Sequence, residues 1–571
     1  MAENDMNIPV ELQFRDVRKQ NKVVISKQQR QILPQNGTNF TISDSGSNQI
    51  IFRIPNDENS SVDFSSAWIV CDVQIEGLTA ANYTFNKGTA LNGSISNLYN
   101  ANYAANASKN IAVCCIGDSI ESIIQRVAIY VNGSELERLD YYNFAETAFN
   151  CHANNVNFSN SLGSGCMGMN LNFVDKSKMF LTGASRGTSG ADTLEPLATG
   201  GKTATVQFAF PLRYCGLMNS RSLIPSYLMG SGQSAVEIRI FLENVKNCLA
   251  AGILSNPTTA SGALTFTGDS STSIKLNLSN VRMNIDYVQT SEEYSSALRE
   301  YLTSNTLTVP LQTYYHTQFE IGTTVKGWVN NTISTQFSDV QAVYLAFFKG
   351  SEQNSLSYLG SDRLWVPVTA DNTPCISQAR LTINGLIYPS VPIYLPTNKG
   401  VGNQAAEAYQ YLIKALSQNA NLEILGSTNQ PYEVTTTKID STLSTGTTAA
   451  TISQIITSSL SSGRGLFYGQ NRDIFDDAQV SVSVTPSNTS IFANPERFFT
   501  SPSQFVLGFD VSKSSYGDDY TLSGSDLSKT SGLIQVQLLV ENSPAESYNC
   551  LVVIQHKRLL EIGLDNAQVI Y

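Results

Sequence analysis

A chain of 571 residues has room for three or four domains of ordinary size or for two large ones. Its net charge of −11 at neutral pH excludes a general nucleic-acid binder over the body of the chain. Charged residues make up 15%, against about 25% in typical soluble domains, so Asn, Ser, Thr, Gln and Gly must supply most of the polar surface, a composition suited to β-surfaces and loops.

The start of the chain runs against this average. Arg15, Arg18, Lys19, Lys22, Lys27 and Arg30 crowd between Val10 and Arg30 against only Glu11 and Asp16. Residues 1–30 therefore read as a basic arm, either solvated or facing a polyanion or an acidic neighbour. Met1 to Met6 is acidic with no apolar stretch behind it, so no secretory leader is expected. No run of about 18 apolar residues marks a membrane span.

Beyond the arm, short apolar runs rich in β-branched and aromatic residues predict strands. They include Ile50-Ile-Phe-Arg-Ile, Ala67-Trp-Ile-Val-Cys-Asp-Val-Gln-Ile, Arg126-Val-Ala-Ile-Tyr-Val, Val206-Gln-Phe-Ala-Phe and Val236-Glu-Ile-Arg-Ile-Phe-Leu. Later come Val343-Tyr-Leu-Ala-Phe-Phe, Ala379-Arg-Leu-Thr-Ile, Ile534-Gln-Val-Gln-Leu-Leu-Val and Leu551-Val-Val-Ile. Helical spacing is scarce. It is clearest from Glu292 to Leu302, where Tyr294, Ala297, Leu298, Tyr301 and Leu302 share a face and Thr290 with Glu293 suggests a capping box. Leu136–Phe149 and Ala405–Leu416 also carry helical character. Long Asn-, Ser-, Thr- and Gly-rich segments, Leu78–Asn110, Asn150–Thr205 and Ser427–Ser462, predict loop insertions that carry function or an interface.

The two halves echo each other in order. Ala67-Trp-Ile-Val-Cys-Asp-Val resembles Ala342-Val-Tyr-Leu-Ala-Phe-Phe. Ile129-Tyr-Val-Asn-Gly returns as Leu381-Thr-Ile-Asn-Gly, each a strand entering an Asn-Gly turn. Val236 to Asn244 returns as Ile534 to Asn542, and each copy precedes one further strand. The expectation is an all-β chain: two tandem, about eight-stranded jelly rolls with long loops and a few short helices. The boundaries are a basic arm at 1–30, a first roll at 31–289, a linker helix at 290–305 and a second roll at 306–571.

Signatures of catalysis lack their context. Gly163-Ser-Gly-Cys-Met-Gly168 matches a dinucleotide fingerprint in letters, but no buried strand leads into it and no helix is expected after it. Gly201-Lys-Thr203 resembles the end of a P-loop, yet Pro196 stands where the upstream glycine belongs. Gly183-Ala-Ser-Arg-Gly187 lacks the strand and helix that make a nucleophile elbow of Ser185. His152, His316 and His556 lie far apart, none at metal-ligand spacing. Asp476-Asp477 and Asp518-Asp519 read as solvated loop pairs. The nine cysteines are odd in number and lack a C-x-x-C pair; several sit inside apolar runs, as buried free thiols from a reducing compartment do. No catalytic set, metal or cofactor is expected.

Several segments in this order resemble the double jelly-roll major capsid proteins of Polinton-like viruses, virophages, adintoviruses and related small double-stranded DNA viruses of eukaryotes. They are Ile120 to Gly133, Pro211-Leu with Ser222-Leu-Ile-Pro and Val236-Glu-Ile-Arg-Ile, Asn280 to Val288 with the helix from Glu292, and Arg380 to Ile393 with its Asn-Gly and Tyr-Pro. The likeness spans roughly residues 30–571 and leaves the long loops unmatched. It implies a non-enzymatic major capsid protein in the virion, made inside the host cell and not secreted. Its partners would be itself, as a pseudo-hexameric homotrimer among neighbouring capsomers of an icosahedral shell, and penton and minor capsid proteins. Genomic double-stranded DNA would meet the arm cations Arg15, Arg18, Lys19, Lys22, Lys27 and Arg30 on the inner face. The competing readings are another virion β-sandwich (a penton or minor capsid protein) and a glycan-binding adhesin. An ordered duplication argues against the first, and the missing leader and paired cysteines against the second.

Overall fold

A computed structural model describes, apart from short interruptions, residues 23–78, 110–150, 201–255, 265–268, 273–356, 364–395, 406–416, 505–513, 524–527 and 532–570, with short pieces at 163–169, 179–180 and between 433 and 497. The first half holds β1 (Val24–Ile32), β2 (Gln49–Ile54), β3 (Ser60–Glu76), β4 (Ile124–Val131), β5 (Ser134–Leu139), β6 (Val206–Phe210), β7 (Val236–Leu242) and β8 (Lys275–Thr290). The second holds β9 (Leu307–Ile321), β10 (Gly327–Ser334), β11 (Val340–Lys349), β12 (Ile376–Ile383), β13 (Leu386–Tyr394), β14 (Val506–Asp510), β15 (Leu533–Val540) and β16 (Tyr548–Gly563). Three helices matter to the argument: α1 (Tyr142–Asn150), α2 (Glu292–Leu302) and α3 (Ala406–Leu416).

The strand order is the same in both halves. One sheet runs β1-β8-β3-β6 and faces β2-β7-β4-β5; eight strands later β9-β16-β11-β14 faces β10-β15-β12-β13. In each half the first strand lies beside the last and the second beside the seventh, all antiparallel, which is the double wind of a jelly roll. The three sequence echoes fall on equivalent strands: β3 with β11, β4 with β12, β7 with β15. Both Asn-Gly pairs close the hairpin between the fourth and fifth strands, with φ of 48° and 82° at Asn132-Gly133 and 49° and 82° at Asn384-Gly385. Positive φ at both turn residues matches the strands' right-handed twist.

Three details differ from the sequence reading. Leu136 to Leu139 is the end of β5, and the helix expected over Leu136–Phe149 begins at Tyr142. The cap of α2 is Ser291, whose side chain accepts the Tyr294 N–H, while Thr290 remains in β8 and binds the Asn59 carbonyl. β1 begins at Val24, so the sheet of the first roll starts inside the segment read as an arm. A small sheet pairing Asn110–Ile116, Leu249–Ser255 and Thr265–Gly268 is unforeseen in the sequence.

Alternation builds the cores. On β7 the pattern is strictly buried and half-buried in turn, with Val236, Ile238, Ile240 and Leu242 inward. On β11 it breaks down, because every residue from Val340 to Phe348 is buried. Val343, Leu345 and Phe347 face the interior of the second roll. Ala342, Tyr344, Ala346 and Phe348 join the apolar cluster that fills the first roll. The sheet β9-β16-β11-β14 is thus a middle layer, packed on both faces: the core of the first roll extends onto its outward side, while the interior of the second roll forms a separate cluster.

Candidate assembly surfaces

The first roll meets the second through α1 and β5. Phe144 stands edge-on to Phe348 with ring centroids 4.8 Å apart. Phe149 packs edge-on to Tyr344 at 5.1 Å and against Tyr314 at 5.6 Å. A helix normally leaves one face to water, but Tyr142 to Phe149 are all buried because roll 1 covers one side and roll 2 the other.

Polar groups rim this seam, and some of them are bound across it. Glu137 on β5 accepts the Gly216 and Leu217 N–H groups at 2.7 and 3.1 Å. Burial pushes its carboxyl up, opposed by hydrogen bonding from Thr313 and these amides and by the Arg558 charge, both side chains coming from roll 2. Arg558 also donates to the Leu136 carbonyl. His316 on β9 binds the Asp140 carbonyl through Nδ1, which fixes the proton on that nitrogen because a carbonyl only accepts. Burial lowers its imidazole to about 4. Further out, the Asn354 N–H donates to Asn247 Oδ1 at 2.7 Å and the Ala251 N–H to the Leu356 carbonyl at 3.0 Å. Behind α1, buried Glu121 takes Arg213 Nε and Nη2 at 2.9 and 2.7 Å and the Tyr142 hydroxyl at 2.7 Å. A buried charge held by three donors is compensated and fixes α1 in place. Sequence reasoning missed the whole seam; its one signal was the unbroken apolar run of β11.

The equivalent surfaces elsewhere differ among the described residues. The outer face of β1-β8-β3 is polar, with Asp72 accepting from Gln207 and Asn280 at 2.9 and 2.6 Å. The edge strand β13 exposes Leu386, Ile387, Val391 and Tyr394, and Val23, Val24, Ile25 and Leu33 are exposed on or beside β1.

Of the arm cations, Arg15, Arg18, Lys19 and Lys22 lie outside the described residues. Lys27 and Arg30 are on β1. Lys27 Nζ is 2.8 Å from Asp286 and 3.8 Å from Asp63. Arg30 pairs with Asp57 and lies 4.4 Å above the Tyr287 ring. Lys27 is thus balanced by acids of its own sheet and Arg30 by an acid of the loop between β2 and β3.

The other candidates are drawn into structure or fall outside it. Ser164–Met167 is a single helical turn ended by Gly168 in the left-handed region, too short to present an anion site. Lys202 pairs with Glu76 at 3.6 Å, and the Thr203 hydroxyl accepts the Ile75 N–H. His152, Cys151, Ser185, Asp476-Asp477 and Asp518-Asp519 lie outside the described residues. His556 is stacked on Phe337 at 3.8 Å with its basicity suppressed by burial. Among the described residues no three His, Cys, Asp or Glu side chains gather to hold a metal. The described cysteines are all buried but Cys166, and burial pushes Cys71 up to about 12. No described helix is long and apolar enough to cross a membrane.

No protein-family model matches the chain, and no curated protein matches it in sequence. Solved structures with a similar course of the chain include the Faustovirus major capsid protein, with TM-score 0.47 and 10% identity over 95% of this chain and 91% of that one. The cryo-EM structure of the Sputnik virophage aligns with TM-score 0.44 and 11% identity, covering 96% of this chain and 89% of that one. The mavirus major capsid protein gives 0.42 and 9%, covering 100% and 96%.

Proposed function

We propose that this chain is a major capsid protein, the repeating subunit of the icosahedral shell of a double-stranded DNA virus. The carrying observation is the duplication: two jelly rolls of identical strand order, side by side, with the core of the first extending onto the outward face of the second. Three such subunits offer six near-equivalent rolls, so a threefold capsomer can occupy sixfold positions in a shell. A roll is also a rigid frame that tolerates long insertions at its ends, where this sequence carries them. The low charge suits lateral contacts, since interface cores are depleted in Lys, Glu and Asp.

The finer parts of the reading are a homotrimeric capsomer, rolls at 31–289 and 306–571 joined by 290–305, and a virus of the Polinton-like or virophage kind. Penton and minor capsid proteins would be its partners in the virion. The arm cations Arg15, Arg18, Lys19 and Lys22, continued by Lys27 and Arg30, would face the genome or a minor protein. Light scattering and negative-stain imaging of the purified protein test the main reading. The expected result is a mass near three subunits with a hexagonal outline or shells. A monomer that stays single beside its co-expressed virion proteins and binds glycans would replace this reading by the adhesin one. Deleting residues 1–22 tests the arm: unchanged particle yield and DNA content would remove its role.

A further inference from the structure

One imidazole joins the two rolls. His316 stands on β9 with 3% of its surface exposed, and its Nδ1–H donates to the Asp140 carbonyl of the first roll. The other ring nitrogen, Nε2, is buried and has no hydrogen-bond partner among the described residues. In the neutral ring that nitrogen is only a lone pair lacking a donor. A second proton would turn it into a charged N–H with no acceptor, a far more costly group to bury. Burial accordingly holds the ring's basicity down to about 4.

The charged groups of the surrounding described elements are already engaged. On β5 and its turn, Glu137 accepts the Gly216 and Leu217 N–H groups, and the Asp140 carboxylate is held by Arg138 at 2.9 Å and Arg126 at 3.8 Å. On α1, Glu146 accepts the Ser119 hydroxyl of its own roll. On β16 the charge facing the seam is the cation Arg558, bound to the Leu136 carbonyl, while His556 stacks on Phe337 at the sheet's other face. Glu320 on β9 itself is exposed, and Leu217–Asn219 carries no ionisable side chain. The carbonyl that His316 holds lies beside a strained residue. β5 ends at Leu139, α1 begins at Tyr142, and Tyr141 between them has φ of 55°. A bulky side chain stays in the left-handed region only where contacts on both sides enforce it. On the helix side the Tyr141 carbonyl accepts the Phe144 and Ala145 N–H groups. On the strand side the hold is His316 on Asp140.

We infer that His316 is an acid-sensitive latch between the rolls: on taking a proton from water its ring leaves the seam, the turn at Tyr141 relaxes, and β5 and α1 loosen from the middle sheet while the sandwiches stay folded. The interior of the second roll is a separate cluster behind that sheet, so it does not depend on α1. In the first roll β3 and β7 are paired along their length to β8, β2 and β4, and not to β5. The acid-labile part of the chain is then the joint, and not either frame.

Hydrogen exchange of the full chain, read by mass spectrometry with each peptide's rate divided by its intrinsic rate at that pH, tests the latch. With the ring at about 4 when docked and at the ordinary 6.5 when released, the open fraction of residues 134–150 is expected to rise roughly twentyfold between pH 7 and pH 5. Peptides from β3, β7 and β15 are expected to change by less than about threefold. His316→Asn keeps an N–H donor near the Nδ1 position and takes no proton. It is expected to abolish the rise, leaving residues 134–150 equally protected at both pH values. Unchanged protection of that segment in the unmodified chain would overturn the latch, as would a folded His316→Asn chain that shows the same rise. A loss spread evenly over β3, β7 and β15 would overturn it in favour of acid unfolding of the whole chain. A rise centred on β10 and β15 would overturn it in favour of His556. If circular dichroism shows that the variant does not fold, the distribution of exchange in the unmodified chain decides.

Discussion

The sheets β1-β8-β3-β6 and β9-β16-β11-β14 have the same connectivity and opposite surroundings. In β3 the outward side chains include Asp63, Ser66, Asp72 and Gln74, and the sheet turns this polar face away from the core. In β11 the outward positions are Ala342, Tyr344, Ala346 and Phe348, all buried, with Tyr344 and Phe348 against α1 of the first roll and the Tyr344 hydroxyl donating to the Ala415 carbonyl of α3. The lesson is that strand order in a duplicated fold follows the inward residues, which are apolar in both rolls, while the outward residues of the same strands determine what packs on the fold. A strand buried on both faces loses its alternation and reads as a continuous apolar run.

The sharpest way to break this comparison is to exchange the chemistry of the two outward faces. Ala346→Asp places a carboxylate in the seam with no cation or donor to meet it, at a cost of several kcal/mol, about 4 or more. The expected outcome is insoluble or unfolded protein. Asp72→Ala, on the equivalent face of the first roll, removes two part-exposed hydrogen bonds and is expected to cost about 1 kcal/mol or less in chemical denaturation. Equal costs would mean that the two faces are not differentiated.

Phe149→Ala comes next. Its ring touches Tyr214 within its own roll and Tyr314 and Tyr344 across the seam, so truncation is expected to cost about 3–5 kcal/mol. If the rolls are one cooperative body, denaturant unfolding stays a single transition shifted to lower concentration. Two separated transitions in the variant would show that the seam, and not the chain as a whole, holds the rolls together.

Acid sharpens the comparison differently, because the titratable imidazole in this seam is His316. Its folded value of about 4 lies below the ordinary 6.5, so the unfolded chain binds the proton more tightly. Stability from this group is therefore complete above pH 6.5 and is lost as pH falls toward 4, by about 3 kcal/mol in all. The charges nearest the site are Asp140, whose carbonyl His316 binds, and Arg126 and Arg138, which hold the Asp140 carboxylate. His556, on the other side of the sheet, shifts in the same direction. His316→Gln is expected to flatten part of the acid limb of a stability–pH curve; an unchanged limb would assign acid sensitivity elsewhere.

Much of this fold was legible because it depends on local pattern. Alternation in Val236-Glu-Ile-Arg-Ile-Phe-Leu places a strand with one face inward, and two Asn-Gly pairs at matching positions place two hairpins. The α2 helix was legible from its spacing, though its cap was assigned one residue early, since Thr290 and Ser291 carry the same hydroxyl chemistry. The seam was not legible. Glu137, His316 and Arg558 look like any scattered polar residues until roll 2 is laid against β5, because their partners are far away in the chain. The arm cations show the converse. Lys27 and Arg30 stand out as excess charge in sequence, and their partners Asp286, Asp63 and Asp57 are visible only once β1 is paired with β8.

The smallest effect concerns what the two rolls share. Gly133 and Gly385 both have φ of 82°, and a Cβ at either would meet nothing within 4 Å. Substitution by Ala therefore incurs no clash in either roll, only the strain of a left-handed backbone on a residue with a side chain. That cost is about 1 kcal/mol, offset in small part by the lower entropy of the unfolded chain. Gly133→Ala and Gly385→Ala should then destabilise by the same amount within a few tenths of a kcal/mol, although β5 is covered by the other roll and β13 is not. A clearly larger cost at Gly133 would mean that the seam reaches the hairpin tip and that even this duplicated turn is held by its surroundings. Equal costs would confine the difference between the rolls to outward side chains, which is where the contrast between β3 and β11 puts it.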